Sequence, residues 1–86
     1  MNDAGSEPEL IMYTTVGCHL CEQAEAILRN EFGRFNLQLV DIAESEVLVT
    51  RYGLRIPVIK IGTADAELGW PFDAITVADF LDRYCH

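Results

Sequence analysis

The chain is short of positive charge. Its six Lys and Arg residues stand against fourteen Asp and Glu residues, which gives a formal net charge of −8 at pH 7. Proteins that bind the phosphate backbone of nucleic acids need clustered cations, because much of their affinity comes from counterion release. The same deficit disfavours docking on an anionic membrane surface. We therefore expect neither nucleic acid nor membrane as a partner, and we interpret the acidic balance as a source of solubility.

Long apolar runs and a large set of cysteines are also lacking. The longest apolar run falls far short of the roughly 20 residues that span a bilayer. Residues 1–9 are polar and acidic and have neither the cationic nor the apolar region of a signal peptide. We therefore expect a cytoplasmic protein, in a compartment that keeps thiols reduced. Three cysteines are too few for a disulfide scaffold, so any cysteine chemistry is expected to be catalytic or metal-linked.

The residues that are present suffice for one small domain. The chain has 86 residues, of which 50% are hydrophobic and 23% charged, a composition typical of a globular protein. Residues 1–9 include Gly, Ser and Pro and predict a flexible N-terminal tail, whereas residues 10–86 predict the folded domain. We expect a monomer.

Hydrophobic periodicity predicts alternating strands and helices. Strands are expected at residues 10–14, 35–42 and 58–61, with a brief fourth strand at 67–68. Helices are expected at 18–32, in a short segment that ends at Gly53, and near the C-terminus. The first strand, helix and strand predict a parallel pair with a right-handed crossover, and the later strands an antiparallel hairpin. The fold class is therefore α/β, with a mixed sheet covered by helices.

Side chains that cap helices locate the helix starts. Asp41 or Ser45 is expected to begin the second helix. The last helix is expected to begin at Thr76, with a hydrophobic staple between Ile75 and Phe80. The apolar face of the first helix is expected to comprise Leu20, Ala24, Ile27 and Leu28.

The chemically informative motif is Cys18-His19-Leu20-Cys21, which lies between the first predicted strand and the first predicted helix. The thiolate is the nucleophilic form of cysteine, and a free thiol with a pKa of about 8.5 is mostly protonated near pH 7. A helix N-terminus offers unpaired N–H groups and roughly half a positive charge, both of which stabilise a thiolate. We therefore expect Cys18 to be exposed and reactive, with His19 tuning its thiolate when protonated.

The spacing of the two cysteines suits a redox pair. Cys21 lies one helical turn after Cys18, and residues three apart on a helix are about 5–6 Å apart at Cβ. A small adjustment brings the sulfurs within bonding distance. Cys18 is then expected to attack a substrate disulfide and Cys21 to resolve the mixed disulfide, while Gly17 keeps the approach open. A CxxC after a strand and at the start of a helix favours this interpretation.

Three other interpretations of these residues stay open. The pair could be half of a zinc site, completed by Cys85, His86 or His19, although no second CxxC is present. It could also be an inert pair of thiols in which Cys21 is simply buried. Finally, the domain could bind a partner without turnover, through the edge at Ile56-Pro57 and the region of Trp70.

Three segments of the sequence carry a resemblance to a known family. They are Tyr13-Thr14-Thr15-Val16-Gly17-Cys18-His19-Leu20-Cys21-Glu22, then Arg51-Tyr52-Gly53 with Arg55-Ile56-Pro57-Val58, and then Gly69-Trp70-Pro71-Phe72-Asp73. In this order and spacing they resemble the small bacterial glutaredoxin-like proteins of unassigned function, which belong to the thioredoxin-fold superfamily. The resemblance covers the chain from about Leu10 to Tyr84.

The resemblance implies a thioredoxin-like three-layer fold with a mixed four-stranded sheet, and a thiol–disulfide oxidoreductase. It implies that Cys18 is the nucleophile and Cys21 the resolving cysteine. It also implies that the Ile56-Pro57 bond is cis and packs beside the thiols, with the backbone of Ile56 free to pair with an extended substrate. The substrate would be a protein or a small molecule that carries a thiol or disulfide.

The chain departs from glutaredoxins at two places. Glutaredoxins usually carry Lys or Arg shortly before the first cysteine to meet a carboxylate of glutathione, whereas residues 15–17 are Thr, Val and Gly. Their paired glycines before the last helix are replaced here by Gly69 and Trp70, which are candidates for substrate contact. Trp70 could form an apolar rim near the thiols, or serve as a packing residue beside a buried Phe72. We therefore expect no bound cofactor and doubt that glutathione is the electron donor.

Overall fold

The computed structural model describes residues 9–62 and 65–84. The elements in chain order are β1 (Glu9–Thr14), α1 (His19–Glu31), β2 (Asn36–Asp41), a 3-10 helix (Ile42–Glu44), α2 (Glu46–Tyr52), β3 (Val58–Ile61), β4 (Glu67–Gly69) and α3 (Ala74–Tyr84). Residues 1–8 of the predicted tail, part of the predicted turn after β3, and Cys85 and His86 lie outside the described residues. Glu9, which the prediction placed in the tail, is instead the first residue of β1. Within the described ranges, no helix has the length and apolar character needed to cross a membrane.

The four strands form one mixed sheet in the order β2-β1-β3-β4. β1 runs parallel to β2, β3 runs antiparallel to β1, and β4 runs antiparallel to β3. The predicted parallel pair and antiparallel hairpin are therefore confirmed. The two central strands are the most apolar in the sequence, because both of their faces are covered. Cys18 follows the end of β1, which is one of the two central strands, and so lies near the middle of one end of the sheet.

The sheet has a helix layer on each face. Alternate residues of the central strands, among them Met12 and Ile59, belong to the main core with buried residues of α1 and α3. Val58 faces the other way and forms a smaller core with Ile42 and Tyr52 of the segment that contains α2. These two cores make a three-layer α/β fold of the thioredoxin-like type that the resemblance implied.

The buried face of α1 differs in part from the expected one. Cys21, Ala24 and Leu28 are its buried residues, Ile27 is half-buried and Leu20 is exposed. The prediction for Leu20 is wrong because the helix presents positions 21, 24 and 28 to the sheet, and Leu20 lies outside this stripe.

The start of α3 also differs from the prediction. Asp73, rather than Thr76, precedes the helix and caps it, since its Oδ1 accepts hydrogen bonds from the backbone N–H and the hydroxyl of Thr76, both at 2.8 Å. Ile75 is 80% exposed, so the predicted staple is wrong. Phe72 and Val77 stand on either side of the cap at the staple positions, and both belong to the main core.

Both candidate caps near α2 are used. Asp41 Oδ1 accepts from the N–H of Ala43 at 2.9 Å and begins the 3-10 helix, while Ser45 Oγ accepts from the N–H of Leu48 at 3.4 Å and begins α2. The sequence interpretation treated them as alternatives, whereas the chain forms two short helices in succession.

Candidate active site

Cys18 and Cys21 are joined by a disulfide at the N-terminus of α1, with their Cα atoms 5.2 Å apart. Cys18 has extended backbone angles and is the N-cap of the helix. Its sulfur accepts a hydrogen bond from the N–H of Cys21 at 3.1 Å, in the place where a Ser or Asp oxygen usually caps a helix. The CxxC spacing thus brings the two sulfurs together, as the sequence predicted.

The two cysteines differ in exposure. Cys18 is partly exposed and borders the main core, whereas Cys21 is 2% exposed and lies within that core. An incoming molecule therefore meets Cys18 first. After reduction, the N–H of Cys21 and the positive end of α1 would favour negative charge on the Cys18 sulfur.

Gly17 and His19 flank the reactive cysteine. Gly17 has a φ of +82°, a left-handed conformation that is unfavourable for residues with a side chain. No atom of the described residues other than Val16, Gly17 and Cys18 lies within 4 Å of the position that a Cβ would take there, so the approach to Cys18 is open on this side. His19 is the first residue of α1 and is exposed. Its role in tuning the thiolate stays a prediction.

Pro57 and Trp70, from two of the segments that carry the resemblance, are hydrogen-bonded to each other, and their position beside the thiols stays a prediction. The Ile56–Pro57 peptide bond is cis, Pro57 is fully buried, and the carbonyl of Pro57 accepts from the N–H of Trp70 at 3.0 Å. Cys18, Ile56 and Trp70 are all partly buried and pack against the main core. Substrate contact by Ile56, Pro57 and Trp70 stays a prediction.

Of the two backbone polar groups of Ile56, only the N–H is hydrogen-bonded to the described backbone. Its N–H donates to the carbonyl of Tyr52 at 3.1 Å, in the turn that follows α2. Its carbonyl accepts no backbone hydrogen bond from residues 9–62 or 65–84. The expectation of a fully free backbone is therefore wrong for the N–H, and an extended substrate could pair only with the carbonyl.

Trp70 lies in the segment that joins β4 to α3. It follows Gly69, the last residue of β4, and it is half-buried, with its ring edge-on to Phe72 at a centroid distance of 5.0 Å. Phe72 is buried in the main core. This arrangement matches the packing interpretation of the pair. The Trp70–Pro71 bond is also cis, which the sequence interpretation did not include.

A groove opens beside Cys18 on the side of the sheet where β2 lies, and its volume is about 400 Å³. It is lined by Thr14, Thr15, Val16, Gly17, Cys18, Cys21, Glu22, Glu25, Leu39 and Asp41. Sequence reasoning missed its acidic members and Leu39. One available signal was the parallel pairing of β1 with β2, which sets Asp41 opposite Thr14 at the same edge of the sheet.

A polar cluster ties α2 to β4. The buried hydroxyl of Tyr52 donates to Oε2 of Glu67, and the guanidinium groups of Arg55 and Arg51 lie 3.3 and 3.9 Å from the same carboxylate. Tyr13 stacks on the Tyr52 ring at a centroid distance of 4.2 Å. Arg51 and Arg55, which stand in one of the segments that carry the family resemblance, are thus both directed at Glu67.

The cluster perturbs the titration of its two central groups. Burial, together with the hydrogen bond to Glu67, raises the pKa of Tyr52 well above its ordinary value. Burial by itself would raise the pKa of Glu67 as well. The hydrogen bonds from Tyr52 and Arg55, with the charges of Arg55 and Arg51, outweigh burial and hold the pKa of Glu67 below its ordinary value.

The zinc interpretation finds no set of ligands in the part of the chain that the structure describes. There, no group of three or more His, Cys, Asp or Glu side chains could hold a metal ion. Two of the ligands proposed for such a site, Cys85 and His86, lie outside the described residues.

Comparison with known proteins places this geometry in a family. Residues 9–82 match the family described as Glutaredoxin-like domain (DUF836). No curated protein matches the chain. The solved structure of protein XcR50 from X. campestris is 36% identical, with a TM-score of 0.78 over 86% of this chain and 96% of that one. Protein Ne2328 from Nitrosomonas europaea is 31% identical, with a TM-score of 0.75 over 93% of this chain and 98% of that one.

A more distant likeness concerns the fold alone. Thioredoxin O2 from Arabidopsis thaliana in its oxidized state is 20% identical, with a TM-score of 0.60 over 95% of this chain and 78% of that one. The thioredoxin-like fold is thus supported independently of the family match. On the match over residues 9–82 and the likeness to XcR50 and Ne2328, the chain belongs to the glutaredoxin-like domain family.

Proposed function

We propose that the protein is a thiol–disulfide oxidoreductase that works through the Cys18–Cys21 pair. One observation carries the proposal: the two sulfurs are bonded at a helix N-terminus, with the first partly exposed and the second buried. An exposed attacking sulfur and a protected resolving sulfur are what two-step exchange requires. A purely structural disulfide would gain nothing from a reactive position at a helix start.

The reaction consists of two exchange steps. In the first, the Cys18 thiolate attacks one sulfur of a substrate disulfide, a bond from Cys18 Sγ to that sulfur forms, and the other substrate sulfur leaves as a thiolate. In the second, Cys21 loses its proton to solvent and attacks Cys18 Sγ, so that the Cys18–Cys21 disulfide forms and the second substrate sulfur leaves. Two electrons pass from the enzyme dithiol to the substrate.

A reductant must then restore the dithiol. We assign this role to a low-molecular-weight thiol or a protein dithiol, which reverses the two steps and is itself oxidised to a disulfide. A cytoplasmic setting, which keeps such thiols reduced, forms part of the proposal. The protein holds no cofactor in this scheme, because the electrons reside on sulfur throughout.

The test uses single-cysteine variants in a Cys85→Ser background, so that only the two candidate sulfurs remain. We expect Cys21→Ser to accumulate a mixed disulfide with a model disulfide substrate, and Cys18→Ser to form none. The parent should reduce the substrate with multiple turnovers when a thiol reductant is supplied. Intact-mass measurement of the trapped adduct, followed by peptide mapping, identifies the sulfur involved.

Two results would contradict the proposal. One is an absence of turnover by the parent together with a Cys18 that is alkylated no faster than Cys21 below pH 8. The other is stable capture of a partner that Cys18→Ser leaves unchanged, which would instead favour a binding module.

A further inference from the structure

We propose that the groove beside Cys18 receives a lysine or arginine side chain of a polypeptide substrate, so that disulfides in basic segments are preferred. This proposal rests on the proposed function, since the groove includes both reactive cysteines. It adds the chemistry of the substrate that the dithiol serves.

The groove is positioned to bind the side chain of a residue next to the substrate cysteine. It runs from Cys18 towards β2, whereas Pro57 and Trp70 lie on the side of β3 and β4. A polypeptide whose cysteine bonds to Cys18 would therefore extend a neighbouring side chain into the groove. The volume of about 400 Å³ leaves room for one long side chain and some water.

The lining of the groove matches a side chain with an apolar stem and a cationic head. Val16, which is 89% exposed, and Leu39 supply apolar surface. Glu22, Glu25 and Asp41 supply carboxylates, and none of the described residues that line the groove is Lys, Arg or His. Lysine and arginine lay their methylene groups along apolar surface while the charged head stays near polar groups and water.

The three carboxylates differ in how far they are already engaged. Glu25 pairs with Arg29 at 2.7 Å, and Asp41 accepts the N–H of Ala43. The carboxylate of Glu22 makes no hydrogen bond or ion pair with any described residue. It stands four positions after Cys18, and its own N–H donates to the carbonyl of Cys18 at 3.1 Å. Glu22 is thus the carboxylate best placed to meet a cation beside the reactive sulfur.

The cations of the chain offset this charge only at Glu25, whose partner is Arg29. Four arginines lie against carboxylates of the protein itself, in the pairs Arg29–Glu25, Arg51–Glu67, Arg55–Glu67 and Arg83–Asp79. With a formal net charge of −8, the whole protein adds to the negative potential at the groove. A basic peptide is attracted by this field, and an acidic peptide is repelled.

The first experiment compares three disulfide-linked peptides that differ at one residue beside the cysteine, which is Lys, Gln or Glu. We expect kcat/KM for the Lys peptide to exceed that for the Glu peptide about tenfold at low salt, the lower end of what charge steering achieves. The ratio should fall to about twofold at 1 M salt, where the screening length is about 3 Å. Because all three peptides meet the same sulfur, its intrinsic reactivity cancels in the ratio.

The second experiment assigns the preference to the groove. Glu22→Gln should lower the ratio of Lys to Glu peptides about threefold, the effect of one exposed ion pair. Glu31→Gln removes the same charge from the other end of α1, nine residues away or about 14 Å along the helix. At 0.15 M salt this distance exceeds the screening length of about 8 Å, so the control should leave the ratio unchanged. Matching circular dichroism spectra would establish that both variants fold.

The outcomes separate this proposal from the one on which it rests. Turnover that depends on Cys18 but does not distinguish the three peptides, or an equal loss of preference in both variants, overturns the groove assignment alone. If no peptide is turned over and Cys18 is alkylated no faster than Cys21 below pH 8, the proposed function fails. The groove can then be tested without any reaction, by measuring how tightly the Cys18→Ser variant binds peptides in which Ser replaces the Cys. Equal affinity for the Lys and Glu peptides would overturn the groove assignment as well.

Discussion

Removal of one hydroxyl tests the account of the cluster between α2 and β4. Tyr52 is 2% exposed, and its hydroxyl donates to Glu67, whose side chain is 14% exposed. Tyr52→Phe deletes this donor and keeps the ring that stacks on Tyr13. The Glu67 carboxylate then depends on Arg55 and Arg51 for its remaining partners.

The size of the loss follows from these contacts. A hydrogen bond to a charged group contributes about 1.5–3 kcal/mol to the free energy of unfolding. Because Arg55 remains 3.3 Å from Glu67, we expect the lower end of this range, about 1.5 kcal/mol. For a domain of this size each kcal/mol lowers the midpoint temperature by about 4–8 °C, so the loss corresponds to about 6–12 °C.

The loss of stability in Tyr52→Phe should be larger at neutral pH than at acidic pH. The folded pKa of Glu67 lies below its ordinary value, so the carboxylate contributes stability at pH values above the unfolded pKa. This contribution is lost as the pH falls through the folded pKa. The difference between the parent and Tyr52→Phe should therefore be largest at pH 7 and shrink below pH of about 4, near the ordinary pKa of a glutamate.

Urea unfolding at pH 7 and pH 3, with the disulfide intact, measures both effects. Tyr84→Phe is the matched control, since Tyr84 is 44% exposed and its hydroxyl makes no hydrogen bond within the described ranges. We expect the control to change the free energy of unfolding by less than about 0.5 kcal/mol. A loss in Tyr52→Phe as small as that of the control, or one equal at the two pH values, would refute the reasoning.

Two further predictions concern local conformation. Gly17→Ala should lower the free energy of unfolding by about 1–2 kcal/mol, because alanine is strained at a φ of +82°, whereas Gly69→Ala should not. At both positions a Cβ would lie more than 4 Å from every described residue except its two chain neighbours. Equal losses would show that the conformation of Gly17 is not the cause. Asp73→Ala should lower the midpoint temperature, because the first turn of α3 loses its acceptor, while Asp73→Asn, which keeps an acceptor, should be nearly neutral. A similar loss in both Asp73 variants would contradict the capping role.

The order and pairing of the elements could be predicted because they depend on long-range apolar patterns. The central strands β1 and β3 are short runs of apolar residues, and their burial on both faces follows from that pattern. Helix starts could not be predicted as well, since several side chains near each start can accept a hydrogen bond. At α3 the capping residue is Asp73, because Phe72, the residue before it, is buried in the main core.

The candidate site likewise has a part that could be predicted from the sequence and a part that could not. The contact between Cys18 and Cys21 follows from helix geometry alone, so three residues of spacing were enough to predict it. The acidic groove needs Leu39 and Asp41, which reach it only through the pairing of β2 with β1. The engaged N–H of Ile56 depends on how the chain turns after α2, and no local motif specifies that turn.

The placement of charge on the two sides of the dithiol bears on which thiols it can serve. On the side of β2 the groove presents carboxylates, of which Glu22 has no partner among the described residues. On the other side, the arginines that precede the Ile56–Pro57 bond are held against Glu67. A thiol that carries carboxylates, such as glutathione, therefore finds Arg51 and Arg55 already paired with Glu67 on one side and meets like charge on the other. The absence of a cation at residues 15–17 likewise disfavours a thiol that carries carboxylates. All three features favour a neutral or basic polypeptide as the substrate.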